Sequence, residues 1–127
     1  MESLLTLFPA TLDADVNVRR SAELELRKLE GQPGMLAASF QLITAEGVDL
    51  SVRQAASIYV KNRIATGWDA PPSRTDSGRT RVPDEDRAPV RSALLTTIAS
   101  VPEPLRVHVA SAINGIAPVS YTHLRAH

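Results

Sequence analysis

The chain has 127 residues, no cysteine, and fourteen basic residues balanced by fourteen acidic ones. That length suits one compact unit with a real core, and the missing cysteines exclude a disulfide framework or a thiolate metal site. Zero net charge argues against general affinity for nucleic-acid backbones or anionic membranes, so neither direct nucleic-acid binding nor membrane insertion is expected.

No basic region leads into an apolar run near Met1, so no signal peptide is expected. No apolar stretch approaches the roughly eighteen residues that cross a bilayer. From Ser3 to Leu12, Leu4, Leu5, Phe8 and Leu12 are spaced as in a helix, and Pro9 predicts a short or kinked one. Asp13 to Asp15 is a break with capping chemistry. A second helix runs from Asn17 to about Glu30, with Val18, Ala22, Leu26 and Leu29 on one stripe. Glu23 and Arg27 are an i,i+4 pair on it. Gly31-Gln32-Pro33-Gly34 ends it.

Met35 to Ala45 is a third helix, stopped by Gly47. A fourth, capped by Asp49 or Ser51, runs from Val52 to about Thr66. Its inward stripe is Val52, Ala55, Ala56 and Tyr59, with Arg53, Ser57 and Lys61 on a polar stripe. Gly67 closes it, and Trp68 folds back onto the helix pair. Residues 69–82 read as a flexible loop with a mild basic bias from Arg74, Arg79 and Arg81. Pro83-Asp84-Glu85-Asp86 opens a fifth helix, acidic at its positive end. Val90, Leu94, Leu95 and Ile98 carry its apolar face. Pro89 is tolerable if the helix proper starts near Asp86, which puts the proline in the first turn. After the break at Val101-Pro102, Leu105 to Ile116 is a sixth helix with Leu105, Val109, Ala112, Ile113 and Ile116 inward.

These helices repeat. Asp15-Val16-Asn17-Val18-Arg19-Arg20-Ser21-Ala22 returns as Asp49-Leu50-Ser51-Val52-Arg53-Gln54-Ala55-Ala56 thirty-four residues later, and Glu103-Pro104-Leu105-Arg106 is a weaker third copy. Without the loop, the second interval shrinks to about the 40 residues of a HEAT repeat. The expected fold is all-α: a right-handed α–α superhelix of the HEAT or armadillo kind, about three helix pairs. The motif arginine can bridge to an acid of a neighbouring repeat, such as Asp15 or Asp49.

Signals for catalysis are weak. There is no phosphate loop, zinc spacing, nucleophile elbow or dinucleotide fingerprint. His108 reads as a partly exposed helix histidine, and Asp84-Glu85-Asp86 as helix-start electrostatics rather than a metal cluster. The Arg53-Ser57-Lys61 stripe reads either as a solvated face or as a contact surface for an acidic partner, because one helix of each solenoid repeat lines a shared concave side.

The runs from Ala10 to Leu29, from Val48 to Trp68, from Val82 to Ile98 and from Glu103 to Ile116 together resemble the N-terminal domain of importin-beta-type nuclear transport receptors, the karyopherin-beta family. The importin seven/eight branch is the nearest likeness. Arg53-Gln54-Ala55-Ala56, Lys61-Asn62, Trp68 and Pro83-Asp84-Glu85-Asp86-Arg87 carry it, and it covers residues 4–116.

The resemblance implies a HEAT solenoid whose early repeats bind the small GTPase Ran in its GTP form. Arg53, Lys61, Asn62 and Arg106 are the candidate contacts, with Asn62 equally readable as a structural residue. It implies a receptor shuttling between cytoplasm and nucleus, with nuclear pore proteins and protein cargo as further partners of the full-length protein. No cofactor, metal or enzymatic activity is implied. The family's receptors are far longer, so the chain reads as an N-terminal fragment, residues 1–116 forming the domain and 117–127 an irregular, foreign-looking tail. The alternative reading is a HEAT scaffold or adaptor subunit of another complex.

Overall fold

The computed structural model describes residues 2–30, 32–68 and 82–116. Among these it shows six helices and no strand: α1 (Glu2–Ala10), α2 (Val16–Leu29), α3 (Met35–Thr44), α4 (Leu50–Gly67), α5 (Asp84–Ser100) and α6 (Glu103–Ile116). Sequence neighbours pair as α1 with α2, α3 with α4 and α5 with α6. The pairs then stack, α5 on α3 and α6 on α4, giving the layered arrangement of a HEAT-like solenoid. The first pair joins the stack through α1, which packs on α4.

Local chemistry sets the boundaries. The helix α1 ends one residue after Pro9, and the Thr11 hydroxyl donates to the Phe8 carbonyl at 2.6 Å. Asp15 caps α2 by accepting from the Asn17 N–H at 2.8 Å. Gly34 caps α3 with φ of +90°, a conformation in which any side chain would be strained. Its N–H donates to both oxygens of the buried Asp86 carboxylate, at 3.0 and 3.2 Å, so the start of α5 is tied to the start of α3. Asp86 is therefore an inter-repeat tie as well as a helix-start acid.

One core runs through the stack. Phe8, Leu26, Ile43, Val60, Ile64, Leu94 and Leu105 belong to it, and Trp68 is 2% exposed. The Phe8 and Tyr59 rings meet at 5.4 Å, tilted by 51°, and fix α1 to α4. Trp68 lies under the Arg87 guanidinium at 4.3 Å, and Arg87 also donates to the Trp68 carbonyl. Beside it, the Val82 N–H donates to the Gly67 carbonyl at 3.0 Å. The loop expected over 69–82 otherwise falls outside the described residues, as does the tail at 117–127.

The helix α6 runs along α4 in the same direction, with Lys61 beside His108 and Ile64 beside Gly115. A Cβ built on Gly115 would stand 3.0 Å from Ile64 Cγ2.

Several expectations need correction. Val18, placed on the inward stripe of α2, is 38% exposed, because α2 has α1 as its main neighbour. Pro89 lies in the second turn of α5, since that helix begins at Asp84; its ring faces the exposed side. Glu23 and Arg27 do not pair; the surface pair formed on α2 is Glu25 with Lys28 at 3.0 Å. The motif arginines bridge to no acid. Each turns back onto main-chain carbonyls of the segment before its helix: Arg19 to Asp13 and Ala14, Arg53 to Ile43, and Arg106 to Val101. Carbonyls at a helix C-terminus have no partner inside the helix and attract a cationic donor.

The three arginines differ in cover. Arg53 is 8% exposed, whereas Arg106 is exposed. We expect Arg53→Met to lower unfolding free energy by about 2–3 kcal/mol and Arg106→Met by less than about 1 kcal/mol. Urea unfolding measures both; equal losses would contradict the structural difference. Gly115→Val should cost about 1–3 kcal/mol in the same assay by overpacking against Ile64.

Candidate protein-binding face

The second helices of the three pairs, α2, α4 and α6, form one side of the stack. Their relation is not uniform. Counting two, six and nine residues on from the motif arginine gives His108, Ala112 and Gly115 in α6, and Ala55, Tyr59 and Asn62 in α4. These rows face the preceding pair. In α6 the small Ala112 and Gly115 let the helix close on α4. In α4 the bulk of Tyr59 and Asn62 stands towards α2, and a cleft of about 460 Å³ opens between the two helices. Arg20, Glu23, Leu26 and Arg27 of α2 line one wall, and Tyr59, Asn62 and Thr66 of α4 the other.

The four residues singled out by the sequence separate on this face. Arg53 is buried and its Nε–H donates to the Ile43 carbonyl at 2.9 Å, so that N–H is engaged inside the fold. Ser57 is also buried and donates to the Arg53 carbonyl at 2.9 Å. The expected polar stripe of Arg53, Ser57 and Lys61 therefore does not exist as a surface. Each i+4 step drifts about 40° around a helix, so this row passes from the buried Arg53 and Ser57 to the half-buried Lys61. Lys61 is half-buried beside His108, and Asn62 is exposed at the cleft. Arg106 is exposed but turned back to Val101 at 3.2 Å, in the same register as Arg53.

Three further residues shape this face, of which the sequence singles out Tyr59 and His108 but not Arg63. Arg63 is buried on α4 and donates to the Glu30 carbonyl at 2.9 Å, joining α4 to the end of α2 across the cleft. Tyr59 has its hydroxyl sealed from solvent, with no acceptor for its proton among the described residues and the Arg63 guanidinium beside its oxygen. Arg63 beside it is itself a donor and cannot receive the phenol proton. Burial pushes the Tyr59 phenol up to about 12 against the opposing pull of Arg63, so the ring stays neutral. His108 is lowered from its ordinary value, first by burial and then by the Lys61 charge, which favours the neutral imidazole. Nothing in the sequence marks Arg63 as buried.

Among the described residues no group of three or more histidine, cysteine or acidic side chains is placed to hold a metal ion, and no helix is long and apolar enough to cross a membrane.

Comparison with known proteins gives a consistent answer. The chain is 35% identical over 112 residues to an importin beta-like SAD2 homolog of Arabidopsis thaliana, covering 88% of this chain and 10% of that protein. It is 35% identical over 101 residues to nonsense-mediated mRNA decay protein 5 of Saccharomyces cerevisiae, covering 77% of this chain and 10% of that protein. It is 31% identical over 112 residues to exportin-2 of Drosophila melanogaster, covering 87% of this chain and 11% of that protein. The chain spans about a tenth of the length of these relatives. No solved structure matches it. With the model of the importin-beta N-terminal domain matching residues 22–100, on helix pairs that stack as repeats, the chain belongs to the importin-beta N-terminal domain family.

Proposed function

We propose that the chain is the part of a nuclear transport receptor that binds the small GTPase Ran in its GTP form, through the side built by α2, α4 and α6. In a full-length receptor this binding would be coupled to release of imported protein cargo, with pore proteins as further partners and a distribution between cytoplasm and nucleus. The supporting observation is the exposure of Asn62 on α4 next to a half-buried Lys61, in a chain of this family.

Burial and hydrogen bonding weigh on which candidates the proposal uses. Lys61 and Asn62 carry the proposal. Arg53 is removed from the contact set because its burial and its bond to Ile43 leave it no partner-facing role. Arg106 is a weak contributor, since its guanidinium is drawn back to Val101. A HEAT scaffold of another complex is the second reading, favoured by the structural rather than partner-facing use of the arginines.

The test is binding of the 127-residue chain to Ran loaded with a non-hydrolysable GTP analogue or with GDP. Preference for the GTP form is expected, with Lys61→Glu weakening it about tenfold and Arg106→Ala less than about threefold. Equal affinity for the two nucleotide states would overturn the proposal, and recovery of other scaffold partners without Ran would support the second reading.

A further inference from the structure

The first helix pair is attached to the stack differently from the third. The helix α6 closes directly on α4, as at Gly115 and Ile64. The helix α2 makes no comparable contact with α4; α1 carries the packing, through the Phe8 and Tyr59 rings. Two cavities open along the α2–α4 seam, one of about 460 Å³ and one of about 180 Å³. Glu23 and Leu26 of α2 and Tyr59 and Asn62 of α4 line both. Packed helices interdigitate with axes about 8–10 Å apart and few voids between them, and this seam stops short of that state.

The same seam holds an unfinished hydrogen bond. The Tyr59 hydroxyl is sealed from solvent and the Arg63 guanidinium stands beside its oxygen, so its proton has no acceptor among the described residues. A buried donor without an acceptor is costly, and a fold that can bring one within reach gains by doing so. Glu23 is the exposed α2 carboxylate that shares both cavities with Tyr59. Glu30, the other α2 acid in the larger cavity, lies at the held end of the helix: Arg63 Nη2 donates to its carbonyl at 2.9 Å.

We infer that the α1–α2 pair is a hinged element with two positions on the stack: the open one described above, and a closed one in which α2 swings onto α4 and the Glu23 carboxylate accepts a hydrogen bond from the Tyr59 hydroxyl. The Phe8–Tyr59 ring contact is the pivot and the Arg63–Glu30 bond the tether; both join the pair to α4. The proton is shared rather than transferred, because burial keeps the phenol neutral, and a charged acceptor makes the bond a strong one. Closure gives α2 the close approach to α4 that α6 already has. The hinge depends on no partner and is a property of the chain alone.

The chain has no cysteine, so Ser21→Cys, on the α1 side of α2, and Ser111→Cys, on α6, supply two exposed spin-label sites without background. Pulsed dipolar spectroscopy of the doubly labelled 127-residue chain should show two distance populations, the longer matching the open arrangement. Tyr59→Phe keeps the ring and removes the donor; Glu23→Ala removes the acceptor. Each should lower the shorter-distance population about threefold or more, while Glu30→Ala, which keeps the tethering carbonyl, leaves it within about twofold. Thermal melting by circular dichroism confirms that the variants keep the fold. A single population at the open distance, as a buried water on the Tyr59 hydroxyl would give, overturns the inference. So does a shorter population that either Tyr59→Phe or Glu23→Ala leaves unchanged.

Discussion

A single buried contact sets the terms for the stack: the Arg53 Nε–H donating to the Ile43 carbonyl at 2.9 Å. Ile43 is in the last turn of α3, where carbonyls have no partner within the helix. A guanidinium there satisfies an orphan acceptor and sits at the negative end of the helix dipole. Burying a charge is costly unless its donors are satisfied. Among the described residues no Arg53 nitrogen is both sealed and unpartnered, so those not bonded to Ile43 keep access to water. The bond ties α4 to the end of α3, and α6 packs on α4 in turn. Arg19 and Arg106 also turn back onto carbonyls that precede their own helices, with less cover.

The same repetition explains where the stack departs from uniformity. Close approach of second helices depends on small residues at two fixed positions after the motif arginine. Ala112 and Gly115 provide them in α6; Tyr59 and Asn62 do not in α4. The first helix pair therefore leans in through α1, where the Phe8 and Tyr59 rings meet, and leaves α2 standing off. A packing irregularity becomes the most recessed part of the proposed binding side.

Much of this was legible from residue spacing. Ala22 and Leu26, Val52 with Ala55 and Ala56, and Leu105 with Val109 and Ala112 are all buried as their periodicity implied. Helix limits agree to within one or two residues at most ends. What spacing could not reveal was how many neighbours each helix has. The helix α4 touches α1, α3 and α6, so polar Arg53, Ser57 and Arg63 are covered along with its apolar residues. Val18 erred in the other direction, because α2 has few neighbours to cover it. The choice of carbonyls over acids as arginine partners depends on where the preceding helix ends in space. The Asp86 tie to Gly34 joins residues 52 positions apart, beyond any local pattern.

The account rests on Arg53 being locked in place inside the stack, and side-chain hydrogen exchange reads that directly. In an ¹⁵N-edited spectrum of the 127-residue chain, the Arg53 Nε–H should appear as a distinct resonance exchanging far more slowly than that of exposed Arg20. An Arg53 Nε–H that exchanges as fast as Arg20 would show that the guanidinium is solvated, and the arginine-anchored stacking described above would be wrong.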